Sequence, residues 1–310
     1  MSWREKALWF SNGVIFLLAL ILIADSFGVL PAISGKKIGT AFLQDGKNRS
    51  YGLLYIDKNI SFSGYTLVSP RSRDLVYLID WEGKTVHSWK VPIFEEQRIE
   101  TGIVELTKFG TLQSKLFPNG HLLVGARNMA STIGGFAALF ELDWDGNVVW
   151  KYENKNLFMH LDFERLPAQA GLLDGRTAVV IQEDIPRSIQ QIIKSGAGAP
   201  ESTADIFSDA IIEIDNQGRE VWRWSAWKHL DPDLAENRLE PEQIRNSEPG
   251  RIFWAFISAL KFVEKNPVTG TPAYLISLPE LDTVAIVERE TGNIIWRGGG
   301  RGLLAGQNSA

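Results

Sequence analysis

Cysteine is absent from the 310 residues, which excludes disulfides and thiolate metal sites and leaves the compartment open. Histidine is scarce. His87, His121, His160 and His229 include no pair at metal-ligand spacing, so neither a zinc centre nor any other metal is expected. A basic stripe is also missing, and a formal charge of −5 gives no electrostatic reason to bind nucleic acid. No organic cofactor is expected either. "GGGR" (Gly298–Arg301) lacks the following helix with Lys and Ser/Thr that a phosphate loop needs. Glu95 and Glu96, adjacent in "PIFEEQRIE", read as a solvated loop rather than an acid/base pair.

One long apolar run is present. Ala7–Ala24 carries no charge; Arg4 and Lys6 precede it and Asp25 closes it. About 18–20 apolar residues in a helix span the ~30 Å hydrocarbon core. The leading positive charges would keep the N-terminus in the cytoplasm and send the rest outward. A cleaved signal peptide is the rival reading, but "IADSFG" offers no small-x-small cleavage site. The sequence therefore predicts a membrane anchor over residues 1–35, a linker with first strands over 36–63, and a folded domain over 64–310. In a bacterium this is a single-pass inner-membrane protein whose folded part lies in the periplasm.

Tryptophan is abundant, with eleven residues, and several of them end a repeated phrase. The copies centre on Asp80–Gly83–Trp89, Asp143–Gly146–Trp150, Asp215–Gly218–Trp222 and Glu288–Gly292–Trp296. In each, alternating apolar residues lead to an acid, a glycine-bearing turn follows, and a second alternating run ends in Trp. That period-2 grammar reads as a β-hairpin. The acid can bond its own turn backbone, and Gly supplies the positive φ. A second hairpin type lies between copies, as in "LFPNGHLLVGARN" (Leu116–Asn128), "RLPAQAGLLDGRTAVVIQED" (Arg165–Asp184) and "ALKFVEKNPVTGTPAYLISL" (Ala259–Leu278). Two hairpins per unit, recurring every 63 to 73 residues, predict four-stranded sheets in an all-β propeller of about four blade units. The Trp residues, Trp150 and Trp222 among them, are expected to be buried in the seams between blades. Two insertions, Pro186–Asp209 and Ala226–Phe253, are expected at blade junctions, where such loops commonly bind.

"GYTLVSPRSRDLVYLIDWEGKTVHSW", "HLDFERLP" and "LDTVAIVERETGNIIWRGGGR", in that order, resemble the bacterial arylsulfotransferase family from about Gly64 onward. The resemblance implies a six-bladed, exported propeller. Active members move a sulfuryl group between phenols through a histidine intermediate, without a metal. Imidazole suits that nucleophilic role near neutral pH; cationic Arg and His neutralise the sulfonate oxygens and the departing phenolate.

The family's His-His-Asp motif falls on His160, Leu161 and Asp162, so one imidazole is missing. Its Trp-Thr-His-Ala-Asn-Ser-Leu motif falls on "WAFISAL", which puts Phe256 at the His and Ser258 at the Asn. The family Arg falls on Pro279. The closing Gly-Gln-His-Asp-Ala reads "GQNSA", with Asn308 at the nucleophilic His and Ser309 at the Asp. Phe and Leu are apolar, Pro carries no charge, and Asn does not ionise. "VERETGNIIW" also resembles a blade-terminal phrase of quinoprotein dehydrogenases, but no calcium site of Glu, Asn and Asp assembles around it. The expectation is a non-catalytic, arylsulfotransferase-like scaffold or accessory subunit with a protein partner in a membrane complex. The alternative is an active arylsulfotransferase acting on an aryl sulfate, with His160 catalytic and Arg127 or Arg165 as the cation.

Overall fold

The computed structural model describes residues 57, 61, 63–70, 73–92, 109–128, 138–154, 157–167, 175–245, 250–300, 303, 304 and 307. The apolar stretch Ala7–Ala24 lies outside them, as do Glu95 and Glu96. Among the described residues no helix is long and apolar enough to cross a membrane. The chain divides into two compact units, Met1–Tyr65 with Asp80–Lys84, and Thr66–Ile79 with Thr85–Ala310. In the first, Asp80 Oδ1 accepts from the backbone N–H of Glu82 at 3.0 Å and of Lys84 at 2.8 Å. The remainder of the fold belongs to the second.

Among the described residues sixteen strands form four sheets in a propeller-like arrangement. The first holds β1 (Tyr65–Val68), β2 (Leu75–Asp80) and β3 (Thr85–Lys90). The second holds β4 (Phe109–Leu116), β5 (Leu122–Asn128), β6 (Ala138–Leu142) and β7 (Val148–Glu153). The third runs through β8 (Phe158–Arg165), β9 (Thr177–Asp184), β10 (Asp205–Ile214) and β11 (Glu220–Ser225). The fourth holds β13 (Ala259–Val263), β14 (Ala273–Leu278), β15 (Thr283–Glu288) and β16 (Ile294–Gly299). Inner strands such as β9 and β10 read as near-continuous apolar runs because neighbouring sheets cover both of their faces. Last strands such as β7 and β11 alternate, since one face meets a neighbour and the other meets water.

The expectation of uniform four-stranded units needs correction at the third sheet. The first has three strands among the described residues. The third gains a fifth, β12 (Arg251–Ala255), which pairs parallel to the first half of β10. The insertions also sit differently from expectation. The first does not lie at a junction: it falls inside the third sheet, between β9 and β10, and forms helix α1 (Arg187–Gly196). The second does link the third and fourth sheets, through α2 (Ala226–His229) and α3 (Pro241–Arg245), before returning as β12.

The repeat turns form as their chemistry requires. Asp143 Oδ1 accepts from Asn147 N at 2.8 Å, and Asp215 Oδ1 accepts from the N–H groups of Gln217 and Arg219 at 2.9 Å each. Gly146 and Gly218 close these turns at φ 86° and 76°, a region costly for side chains.

Strand register resolves the terminal aromatics into two rows. His87, Trp150, Trp222 and Trp296 face, across the hairpin, the residue two before the turn acid: Leu78, Glu141, Glu213 and Ile286. Trp89, Tyr152, Trp224 and Gly298 face the residue four before it. Trp89 therefore aligns with Tyr152 and Trp224, not with Trp150.

Each row meets the turn of the following sheet. In the first row His87 Nε2 donates to Trp144 O at 2.8 Å, and Trp150 Nε1 to Asn216 O at 3.1 Å. In the second, Trp89 Nε1 donates to Asp143 O at 3.1 Å and Trp224 Nε1 to Gly292 O at 2.8 Å. The second row is the buried one, with Trp89 and Trp224 each 1% exposed. Trp150 and Trp222, expected to be buried, are only half-buried; their row lies nearer the hairpin turns than the buried one.

A charged latch also joins the third and fourth sheets. Glu213, fully buried, accepts from Arg289 Nε at 2.5 Å and NH2 at 2.7 Å, from Tyr274 OH at 2.9 Å, and from Arg176 at 3.3 Å. Burial, with the Glu213 charge beside it, pushes the Tyr274 phenol well above its ordinary value. The hydrogen bonds to Glu213 hold the Arg289 guanidinium above its own.

Candidate functional site

Two of the stretches carried over from the arylsulfotransferase motifs fall on or just before a strand that begins a sheet, residues 160–162 on β8 and residues 256–258 ahead of β13. A strand that begins a sheet has ladder partners on one edge only, so its other edge must find hydrogen bonds elsewhere. Gln113 and Lys115 on β4, like Asp162 and Glu164 on β8, are two residues apart and so share a face.

In β8 the pairing with β9 jumps from Met159↔Ile181 to Phe163↔Val179. His160, Leu161 and Asp162 occupy that irregularity, where a bulge re-aims side chains. The side chains of His160 and Leu161 lie outside the described residues. Asp162 is described in full and is 5% exposed. Its Oδ2 accepts from Leu260 N on β13 at 2.8 Å. Its Oδ1 accepts from Gln113 Nε2 at 2.9 Å and from its neighbour Phe163 N at 2.7 Å, with Lys115 Nζ at 3.1 Å. Burial pushes the Asp162 carboxyl above its ordinary range, and the Lys115 charge pulls it part of the way back.

Glu164 completes the cluster. Lys115 Nζ donates to it at 2.5 Å from β4, and Lys261 donates to it from β13. Two carboxylates and two ammoniums thus cross-brace three strands and neutralise one another. A second buried carboxylate fixes the stretch leading into β13: Asp209 Oδ2, on β10, accepts from Ile257 N at 2.6 Å.

The other predicted positions are spread around this cluster. Phe256, at the family's second His, packs edge-on to Phe253 with ring centroids 5.4 Å apart. Ser258 donates through Oγ to Gln307 O at 3.2 Å, and Gln307 Nε2 donates to Thr283 O at 2.9 Å. Gln307 of the closing motif therefore comes beside the "WAFISAL" stretch. Asn308 and Ser309 lie outside the described residues. Pro279 opens a 3-10 turn, Pro279–Leu281, where its missing N–H has no cost.

Of the two candidate cations, Arg127 has its side chain outside the described residues. Arg165 points elsewhere: it donates to Glu141 and to Gly175 O (2.9 Å) and lies over the Trp150 ring, 4.9 Å from its centroid. It belongs to a seam and is not one of the groups joining β4, β8 and β13. The described histidines are likewise engaged away from the cluster. His121 pairs with Glu141 at 2.8 Å, and His229 bonds Ser225 O at 2.9 Å while stacking on Trp224. No group of His, Asp and Glu suited to a metal ion occurs among the described residues.

Lys115, Lys261, Glu164 and Asp209 were not singled out from sequence. One signal was available, the i, i+2 spacing of charged residues in runs otherwise read as strand. Their meeting could not be read, because Asp162 and Leu260 are 98 residues apart.

Residues 189–307 match the family model described as arylsulfotransferase (ASST), which relates this part of the chain to that family. The match begins in α1 and takes in all of the third sheet from β10 onward and the fourth. No curated protein matches the chain. Among solved structures it is similar to a protein of unknown function from Bacteroides caccae, with 12% identity and a TM-score of 0.38, covering 76% of this chain and 58% of that one. It is also similar to Kuenenia stuttgartiensis hydrazine synthase, with 11% identity and a TM-score of 0.44, covering 79% and 60%. The chain thus spans about three-fifths of the length of these structures.

Proposed function

We propose that this protein is a non-catalytic propeller of arylsulfotransferase type, anchored in the bacterial inner membrane by its N-terminal apolar segment. Its folded part would stand in the periplasm as a scaffold or accessory subunit of a membrane complex. The observation that carries this reading is the engagement of Asp162. The acid kept from the family's His-His-Asp motif braces Leu260 N–H, Gln113 and Lys115, and the adjoining ammoniums are neutralised by Glu164. Apolar Phe256 and uncharged Pro279 replace two further groups that sulfuryl transfer relies on. Losing one preorganised electrostatic donor commonly costs ~10²–10³ in rate, so several losses leave little above background.

The test is an assay of purified protein with a chromogenic aryl sulfate donor and a phenol acceptor, alongside His160→Ala. No turnover by either protein is expected. Turnover that vanishes in His160→Ala would overturn the scaffold reading in favour of an active arylsulfotransferase. The scaffold role itself is tested by isolating the protein from native membranes, where a stoichiometric protein partner is expected. The anchor is tested by N-terminal sequencing of the native protein; a mature N-terminus between Asp25 and Thr40 would overturn it.

A further inference from the structure

Strand register lays out one partly open face at the end of the third sheet where β8, β10 and β12 begin. Phe158, Gln182 and Asp209 stand opposite one another on β8, β9 and β10. Asp184, Phe207 and Phe253 do so on β9, β10 and β12, and Asp205 stands opposite Arg251 beyond them. Residues two apart on a strand share a face, so these rows point to the same side. The chain then turns back over that side. Asp209 Oδ2 accepts from Ile257 N at 2.6 Å, and Phe256 meets Phe253 edge-on with centroids 5.4 Å apart. Phe253 lies 6.4 Å from Phe207, and the Arg251 guanidinium sits over the Phe207 ring, 4.0 Å from its centroid. Exposure falls along this face. Arg251, Asp184 and Asp205 are exposed, Phe158, Phe253 and Phe256 are half-buried, and Asp209 is fully buried. Opposite Asp209, Gln182 Oε1 is buried and accepts no hydrogen bond among the described residues.

We propose that this face binds a small organic cation, a primary ammonium on an apolar or aromatic stem. A buried amide oxygen without a donor is costly, and a bound N–H relieves that cost. The rings select the kind of donor, because aromatic faces carry negative charge and attract cations. Arg251 over Phe207 is an instance from the chain itself. Of the charged residues in these rows, the carboxylates Asp184, Asp205 and Asp209 outnumber that guanidinium. An anion would meet acceptor oxygens where it needs donors. The ammonium would donate to Gln182 Oε1 with Asp209 as a near counter-charge, and its stem would pack among Phe207, Phe253 and Phe256. The inference is independent of the scaffold reading, since holding an ammonium requires neither sulfuryl transfer nor a protein partner.

The test is calorimetric titration of the full 310-residue chain, in mild detergent, with phenethylammonium. Saturable binding is expected. Phenethyl alcohol, of similar shape but neutral, should bind about tenfold more weakly for want of a charge-assisted hydrogen bond. Hydrocinnamate, with the same ring and the opposite charge, should not bind. This ligand series needs no variant. Gln182→Leu and Phe253→Leu should each weaken phenethylammonium binding by about tenfold. Gln182→Glu should tighten it, a gain that a merely structural role for Gln182 would not produce. Val268→Ser, at a 49% exposed position in the turn between β13 and β14, should bind as the unchanged chain does. Near-UV circular dichroism checks that each variant is folded. No binding of phenethylammonium would overturn the proposal, and so would equal affinity for phenethyl alcohol or tighter binding of hydrocinnamate. Affinity unchanged in both Gln182→Leu and Gln182→Glu would overturn it as well.

Discussion

Trp224 donates its indole N–H to the carbonyl of Gly292, 68 residues away, at 2.8 Å. The ring is almost fully buried between the third and fourth sheets, and His229 stacks on it. One side chain thus supplies apolar area, a hydrogen bond and a register mark between two sheets.

Trp224→Ala is expected to destabilise the protein by about 3–5 kcal/mol, the usual cost of emptying a buried Trp site. Trp224→Phe keeps most of the area but leaves Gly292 O unpaired, at a cost of about 1–3 kcal/mol. Trp150→Ala, at a half-buried position, should cost less than Trp224→Ala. Urea denaturation of the three variants checks the order.

Gly292 sits at φ 72°, and an added Cβ would lie 2.8 Å from His229 Nε2 and 3.3 Å from the Trp224 ring. Gly292→Ala should therefore lose about 1–2 kcal/mol from backbone conformation alone, with a further loss from the displaced imidazole. Gly146→Ala has the same positive φ but nothing within 4 Å, so it should show the backbone cost only. The difference in melting temperature between the two measures the seam contact.

The Glu213 latch predicts an asymmetry between its partners. Glu213→Leu removes the buried charge that Arg289, Arg176 and Tyr274 share and leaves two guanidiniums uncompensated. A loss of about 3–5 kcal/mol is expected. Arg176→Leu leaves the bidentate Arg289 contact in place and should cost much less. In alkaline difference spectroscopy Tyr274 should ionise only as the protein unfolds, since burial raises its phenol well above the ordinary value.

Two kinds of carboxyl should titrate in opposite directions. Burial raises Asp162, so the folded protein holds that proton to a higher pH than the unfolded chain does. Its contribution to stability falls as pH rises from the unfolded Asp value of about 3.9 to the raised folded value. Asp162→Asn should flatten the pH–stability slope in that window. Asp143 is lowered, mainly by the side-chain hydrogen bond from Asn147, and Asp215 mainly by the backbone N–H of Arg219. Their stabilisation is present above about 3.9 and is lost as pH falls through the lowered values. Carboxyl carbon NMR shifts followed against pH separate the two groups.

Local chemistry alone made the hairpin turns legible. An acid that can bond its own backbone and a glycine that takes positive φ act over a handful of residues, so Asp143–Gly146 and Asp215–Gly218 could be read as turns directly. Alternation identified the strands for the same reason, and the recurrence of both indicated stacked sheets. The aromatic rows were only half legible. Taking the Trp that closes each phrase aligned Trp89 with Trp150, whereas cross-strand register pairs Trp89 with Val76, four residues before its turn acid, and Trp150 with Glu141, two before its own. Phe256 and Pro279 were visible as residue types. What stands around them was not.

By itself the sequence determined the all-β class, the repeat and the turn residues. Tertiary structure alone decided that Asp162 bonds Leu260 N–H, that Glu213 gathers Arg289, Arg176 and Tyr274, and that β12 returns parallel to β10. These contacts join residues from 37 to 98 positions apart. Nothing local prefers one such partner over another. The choice is made when neighbouring sheets pack, because a buried carboxylate or an unpaired strand edge must then find its hydrogen bonds among whatever groups the packing brings near.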